Sequence, residues 1–119
     1  MKNLIQVCCI SFLFSHCKPA DDPLFNTVGS SVSGIHFSNS ISYGDSLSVI
    51  DFEYMYNGGG VAIGDVNNDG LQDIYFTGNM TSSQLYLNKG KWKFEDITES
   101  AEVKTSTWAS GVAMVMRLP

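Results

Sequence analysis

The sequence predicts an all-β protein built around a single four-stranded unit, on three observations. Four short segments with strand character, 61–64, 73–77, 84–87 and 91–95, are separated by turn-forming residues. The first two are joined by an oxygen-rich loop, Asp65-Val66-Asn67-Asn68-Asp69-Gly70-Leu71-Gln72-Asp73. Gly60-Val61-Ala62-Ile63-Gly64 then returns as Gly111-Val112-Ala113-Met114-Val115, an offset of 51 residues from 60 to 111. Four strands in a period of about 40–50 residues is the pattern of a propeller blade. The expected architecture is therefore one propeller-type blade plus the first strand of the next, after a signal peptide and a tether.

At 119 residues, with a net charge of −5 and 12% aromatic residues, the chain allows one ordinary domain at most. The acidic balance and the lack of any cluster of Lys and Arg argue against nucleic acid as a partner. Residues 1–17 read as a signal peptide: Lys2 opens it, and Leu4 to Phe14 is a mostly apolar core too short to span a bilayer. All three cysteines, Cys8, Cys9 and Cys17, fall there, so the mature chain is expected to hold no disulfide and no cysteine-based site. The run Phe14-Ser15-His16-Cys17 resembles a bacterial lipoprotein signal, which would make Cys17 the lipid attachment point and the protein an exported, envelope-anchored one. His16 departs from the small residue such signals carry, and an ordinary secretory signal is the alternative. Asp21 and Asp22 resemble the acidic tether of some surface lipoproteins.

Residues 18–33, rich in Pro, Asp, Ser and Gly, read as the tether. Segment 34–57 is expected to hold N-terminal strands and a loop. Gly34-Ile35-His36-Phe37 is apolar enough for one strand, and Ser-rich 38–50 reads as loop. Phe52, Tyr54 and Tyr56 alternate with Glu53, Met55 and Asn57, the period of a half-buried strand. Such a stripe packs a core or stacks on a sugar ring, which makes Tyr54 and Tyr56 candidate ligand contacts. The triple glycine at 58–60 lacks the Lys-Ser/Thr of a phosphate loop and reads as a place where backbones approach closely.

The blade is expected over 58–110, with its loop as the candidate metal site. Asp65, Asn67, Asp69 and Asp73 occupy positions 1, 3, 5 and 9, and Leu71 at position 7 can add a backbone carbonyl. A hard cation such as Ca²⁺ takes six to eight oxygens, and a tight bend aims alternate side chains at one centre. Gly70 supplies the left-handed step the bend needs. The alternative is a surface turn whose Asp and Asn bond their own backbone. An EF-hand is excluded by Phe76 at position 12, where a bidentate Glu belongs, and by strand-like flanks. Beyond the loop, Asn79-Met80-Thr81 fits the glycosylation pattern, and Asn88-Lys89-Gly90 reads as the turn between two hairpin arms.

Gly60-Val61-Ala62-Ile63-Gly64-Asp65-Val66-Asn67-Asn68-Asp69-Gly70-Leu71-Gln72-Asp73-Ile74 resembles an FG-GAP or VCBS repeat, the calcium-loop blade of integrin-α-like propellers. With Leu85-Tyr86-Leu87-Asn88 and Phe94-Glu95-Asp96-Ile97-Thr98, it is similar to the cartilage acidic protein family, which adds a C-terminal ASPIC/UnbV domain. The resemblance implies a calcium-binding propeller, secreted or envelope-anchored, with adhesive or ligand-binding roles. It also implies that Asp65, Asn67, Asp69 and Asp73 are the metal positions. The second copy departs from it at Met116-Arg117-Leu118-Pro119, so 111–119 reads as the truncated start of a second blade in an N-terminal fragment.

No catalytic set is legible. His36 is the one histidine beyond the signal segment, and the acidic residues gather in the loop rather than as a separate acid–base pair. The expected function is a non-catalytic, calcium-binding or adhesion module of the cell envelope, whose partner is an unknown protein or glycan. The alternative is the carbohydrate-binding part of a polysaccharide-processing system. Contact with the membrane is expected only through a lipid at Cys17.

Overall fold

The computed structural model describes residues 23–42, 50 and 52–115. The signal segment, Cys17 and residues 116–119 lie outside them. The fold is all-β, a four-stranded antiparallel meander with the form of one propeller blade. Strands β1 (Val61–Gly64), β2 (Asp73–Phe76), β3 (Gln84–Asn88) and β4 (Phe94–Asp96) lie side by side in chain order. Gly64 pairs with Asp73 and Val61 with Phe76, so the oxygen-rich loop closes the β1–β2 hairpin. Ile74 faces Tyr86 on β3, and Leu87 faces Glu95 on β4.

Side chains alternate between the two faces of the sheet, and each face is covered by a segment without strand structure. On one face Phe76 stacks on Phe37, with ring centroids 5.0 Å apart, and meets Tyr86 edge-on at 5.9 Å. Aromatic pairs of this kind add about 0.5–1.5 kcal/mol beyond the area they bury. Tyr86 is 1% exposed; its hydroxyl accepts the His36 N–H at 3.2 Å and donates to Gln84 at 2.7 Å. On the other face the Tyr75 hydroxyl donates to the Val103 carbonyl at 3.0 Å, and Met114 lies over Gly64. Ala62 and Leu85 are buried, whereas Val61 and Ile63 on β1 remain 57% and 62% exposed.

Asn79 ties these coverings to the sheet. It is buried, its N–H donates to Asn39 Oδ1 at 2.9 Å, and its side-chain carbonyl accepts from the Asn39 amide. Its own Nδ2 donates to the Gly58 carbonyl at 3.0 Å and the Ala109 carbonyl at 3.3 Å. A side chain read as part of a glycosylation pattern is thus a buried junction of three segments. The triple glycine serves close approach, as expected: a Cβ on Gly59 would overlap the Thr77 carbonyl oxygen, and one on Gly60 would come within 2.9 Å of Gly111.

Four local expectations are corrected. Residues 52–56 form no strand but a 3₁₀ turn, Glu53–Tyr56, in which Met55 is fully buried and Tyr54 and Tyr56 are each 58% exposed. Alternation over five residues does not separate a strand from a tight turn without a partner to complete a ladder. Residues 34–37 also form no strand; they cover the sheet instead of joining it. Lys91 and Trp92 belong to the turn before β4, because both have positive φ, 54° and 62°. Gly111–Val115 carries no strand ladder and passes over the face that bears Gly60 and Gly64. Within the tether, Ser30–Ser33 makes one helical turn, α1, closed by Gly34 at φ 76°. Among the described residues no helix is long and apolar enough to cross a membrane.

Asn79→Ala leaves the Gly58 and Ala109 carbonyls and the Asn39 side-chain N–H without their partners, and a loss of about 2–3 kcal/mol is expected in urea unfolding.

Candidate metal centre

The loop is shaped by its own oxygens before any ion is considered. Asp65 Oδ2 accepts the Gly70 N–H at 2.8 Å, and Oδ1 accepts that of Asp69 at 3.2 Å. Asn67 Oδ1 accepts the same Asp69 N–H at 3.1 Å, so the side chains of positions 1 and 3 converge on one point. Asp69 Oδ1 takes the Leu71 N–H at 2.8 Å, while its Oδ2 accepts from the Asn67 amide at 2.9 Å. Gly70 turns the chain at φ 84°, the left-handed step expected of it. The N–H of Gly70, above all, holds the Asp65 carboxyl below the usual aspartate range, against a smaller opposing effect of desolvation. The amides of Asp69, Asn68 and Asn67 add to it, so Asp65 stays anionic to lower pH than a free aspartate.

Asp73 has a different place. It is fully buried at the start of β2, and both of its oxygens are engaged: Oδ2 by the Val66 N–H at 2.9 Å, Oδ1 by the Asn88 N–H at 2.7 Å. Asn88 in turn donates its amide to the Gln72 carbonyl at 2.9 Å and accepts the Gly90 N–H at 2.8 Å. One carboxylate therefore locks the loop to the β3–β4 hairpin. By sequence alone Asn88 reads as a turn residue. Its place beside Asp73 depends on the β2–β3 pairing, which a linear sequence does not display.

Of the residues singled out from sequence, the structure brings Asp65, Asn67, Asp69 and Gly70 together in the exposed bend and sets Asp73 at its base. Leu71 enters through its N–H. Tyr54 and Tyr56 stand on the 3₁₀ turn, and Cys17 lies outside the described residues. As the loop stands, no three Asp, Glu, His or Cys side chains among the described residues are gathered into a metal-holding group. The turn bonds of the alternative reading are present, for Asn67 and Asp69 each cap an N–H two residues on. Each of those oxygens keeps a second lone pair, and the donor set is three carboxylates and an amide, the hard oxygens a divalent cation such as calcium takes. In kind, the residues fit. A groove of about 530 Å³ beside the loop is lined by Ile63, Asp65, Gln72, Met114 and Val115, among others.

With this geometry in view, comparison with known proteins finds an FG-GAP-like repeat at residues 65–115, from the first loop aspartate to the end of the recurring segment. No curated protein and no solved structure matches the chain. The matched stretch takes in the oxygen-rich bend and strands β2, β3 and β4 of the four-stranded sheet.

Asp73→Ala strands the two N–H groups that its carboxylate serves and is expected to cost about 2–4 kcal/mol in calcium-free buffer. Asp69→Ala, on the exposed bend, costs less than about 1 kcal/mol there. Chemical denaturation of the two variants side by side checks the contrast.

Proposed function

We propose that this chain is a calcium-stabilised, non-catalytic binding or adhesion module of the cell envelope, with a propeller blade of the kind found in the cartilage acidic protein family. The observation that carries the reading is the Asp65–Asp73 bend, which closes β1 on β2 within a recognised repeat. A cation held by Asp65, Asn67, Asp69, Asp73 and the Leu71 carbonyl would supply electrostatic cross-linking of the bend. The chain's own residues do the rest: Asp73 holds the register, and Gly70 lets the bend close. Exposed Val61 and Ile63 support a neighbouring blade, since repeat units bury their faces against one another. The segment around Cys17 supports lipid anchoring outside the cytoplasm.

A second reading is favoured by one observation. Tyr54 and Tyr56 are exposed on a turn rather than packed in a core, where an aromatic pair can stack on a sugar ring. Under it the module is the carbohydrate-binding part of a polysaccharide-processing system. Glycan-array binding that disappears in Tyr54→Ala is the result expected of this reading, and an array with no signal removes it.

Calcium titrated into the full chain is expected to give a saturable heat and to raise the melting temperature, with both effects lost in Asp69→Ala. The absence of heat, together with equal melting temperatures for wild type and variant in calcium, overturns the principal reading.

A further inference from the structure

Among the described residues, the tip of the β3–β4 hairpin is where two consecutive non-glycine residues take positive φ. The Lys93 N–H donates to the Gly90 carbonyl at 3.0 Å, closing a turn whose two central residues are Lys91 and Trp92. Both have positive φ, the sign pattern of a type I′ turn, which favours Asn-Gly because a Cβ crowds the next carbonyl. A residue as bulky as Trp in this region is an outlier. Burial does not compensate for it: Trp92 is 70% exposed. Backbone strain that persists around an exposed aromatic side chain points to a task for that side chain.

Its neighbours say what kind. Lys89, Lys91 and Lys93 fall within five positions of a chain that has only seven Lys and Arg against twelve Asp and Glu. The expected lack of any Lys and Arg cluster is corrected here: Lys89 reads as a turn residue and 91–95 as a strand, and it is the closed turn that gathers the three lysines at one tip. Lys89 is paired with Glu95 at 3.2 Å, while Lys91 and Lys93 are exposed and make no ion pair among the described residues.

We propose that this tip is a contact site for an anionic lipid surface, with Trp92 bedded among the headgroups and Lys91 and Lys93 on their phosphates. The turn is convex. A sugar or peptide is gripped by polar groups converging on it from several elements, whereas one ring flanked by two cations suits a yielding layer. An indole settles at the interfacial depth of a bilayer, and lysines there reach the anionic headgroups while their stems lie along apolar surface. The net charge of −5 repels the rest of the chain from such a surface, so the contact is oriented, tip first, and salt-sensitive. This goes beyond a membrane link through Cys17 and does not depend on that cysteine or on calcium.

The test uses the full chain with vesicles of phosphatidylcholine alone or mixed with phosphatidylglycerol. Binding to the mixed vesicles is expected to be tighter by on the order of tenfold, to fade as salt rises, and to be accompanied by quenching of tryptophan fluorescence by brominated lipid. Trp92→Gly and the pair Lys91→Glu with Lys93→Glu remove the preference, and Trp92→Gly removes the quenching while Trp108 remains. Glycine takes positive φ without strain, so Trp92→Gly is also expected to melt higher than wild type, which separates lost contact from lost fold. The apolar segment near the N-terminus is the same in every variant and cannot produce these differences. Equal binding of wild type and variants to the mixed vesicles overturns the proposal. So does retention by an acidic polysaccharide gel under conditions that leave the vesicles unbound.

Discussion

The buried carboxylate of Asp73 is the constraint on which the rest of the structure depends. It sits at the first residue of β2, opposite Gly64, and binds one N–H from the bend before it and one from the end of β3. A carboxylate without exposure persists only when its oxygens are met, and here two backbone groups meet them. The bonds run to both sides of β2. A shift of one residue in either pairing would carry the carboxylate to the other face of the sheet and leave both N–H groups stranded. Register, bend and hairpin are therefore one cooperative unit, and a cation in the bend would reinforce an arrangement already in place.

Around that unit, coverage comes from segments that are not strands. Four short strands have little area of their own. One face is closed by Phe37, the other by the stretch from Val103 to Met114. Asn79 joins the two coverings through backbone carbonyls and another asparagine, so an amide side chain takes the place a ladder would have in a longer strand. The exposed side chains of β1 mark where this economy ends, and a neighbouring face is the natural complement to them.

Two of the three hairpin connections show opposite uses of the left-handed backbone. At Gly70 the residue suits the conformation, and the bend is free of strain at that step. At Lys91 and Trp92 it does not, and the side chains stand outward in a small basic, aromatic point on an acidic molecule.

What the sequence determined by itself is local. Four strand segments with alternating or apolar residues, a bend whose Asp, Asn and Gly spacing can be read residue by residue, and a recurring Gly-Val-Ala were all legible, because each depends on neighbours in the chain. Only the tertiary structure decided which aromatics are core. Phe76 and Tyr86 are packed because register brings them together with Phe37, while Tyr54 and Tyr56 have the same short-range pattern and lie exposed on a turn. It also decided the roles of Asn79 and Asn88, two asparagines in turn-like surroundings whose partners lie up to forty residues away. A hydrogen bond across that separation leaves no periodic trace in the chain, since it is made by the closing of the sheet and not by the residues beside it.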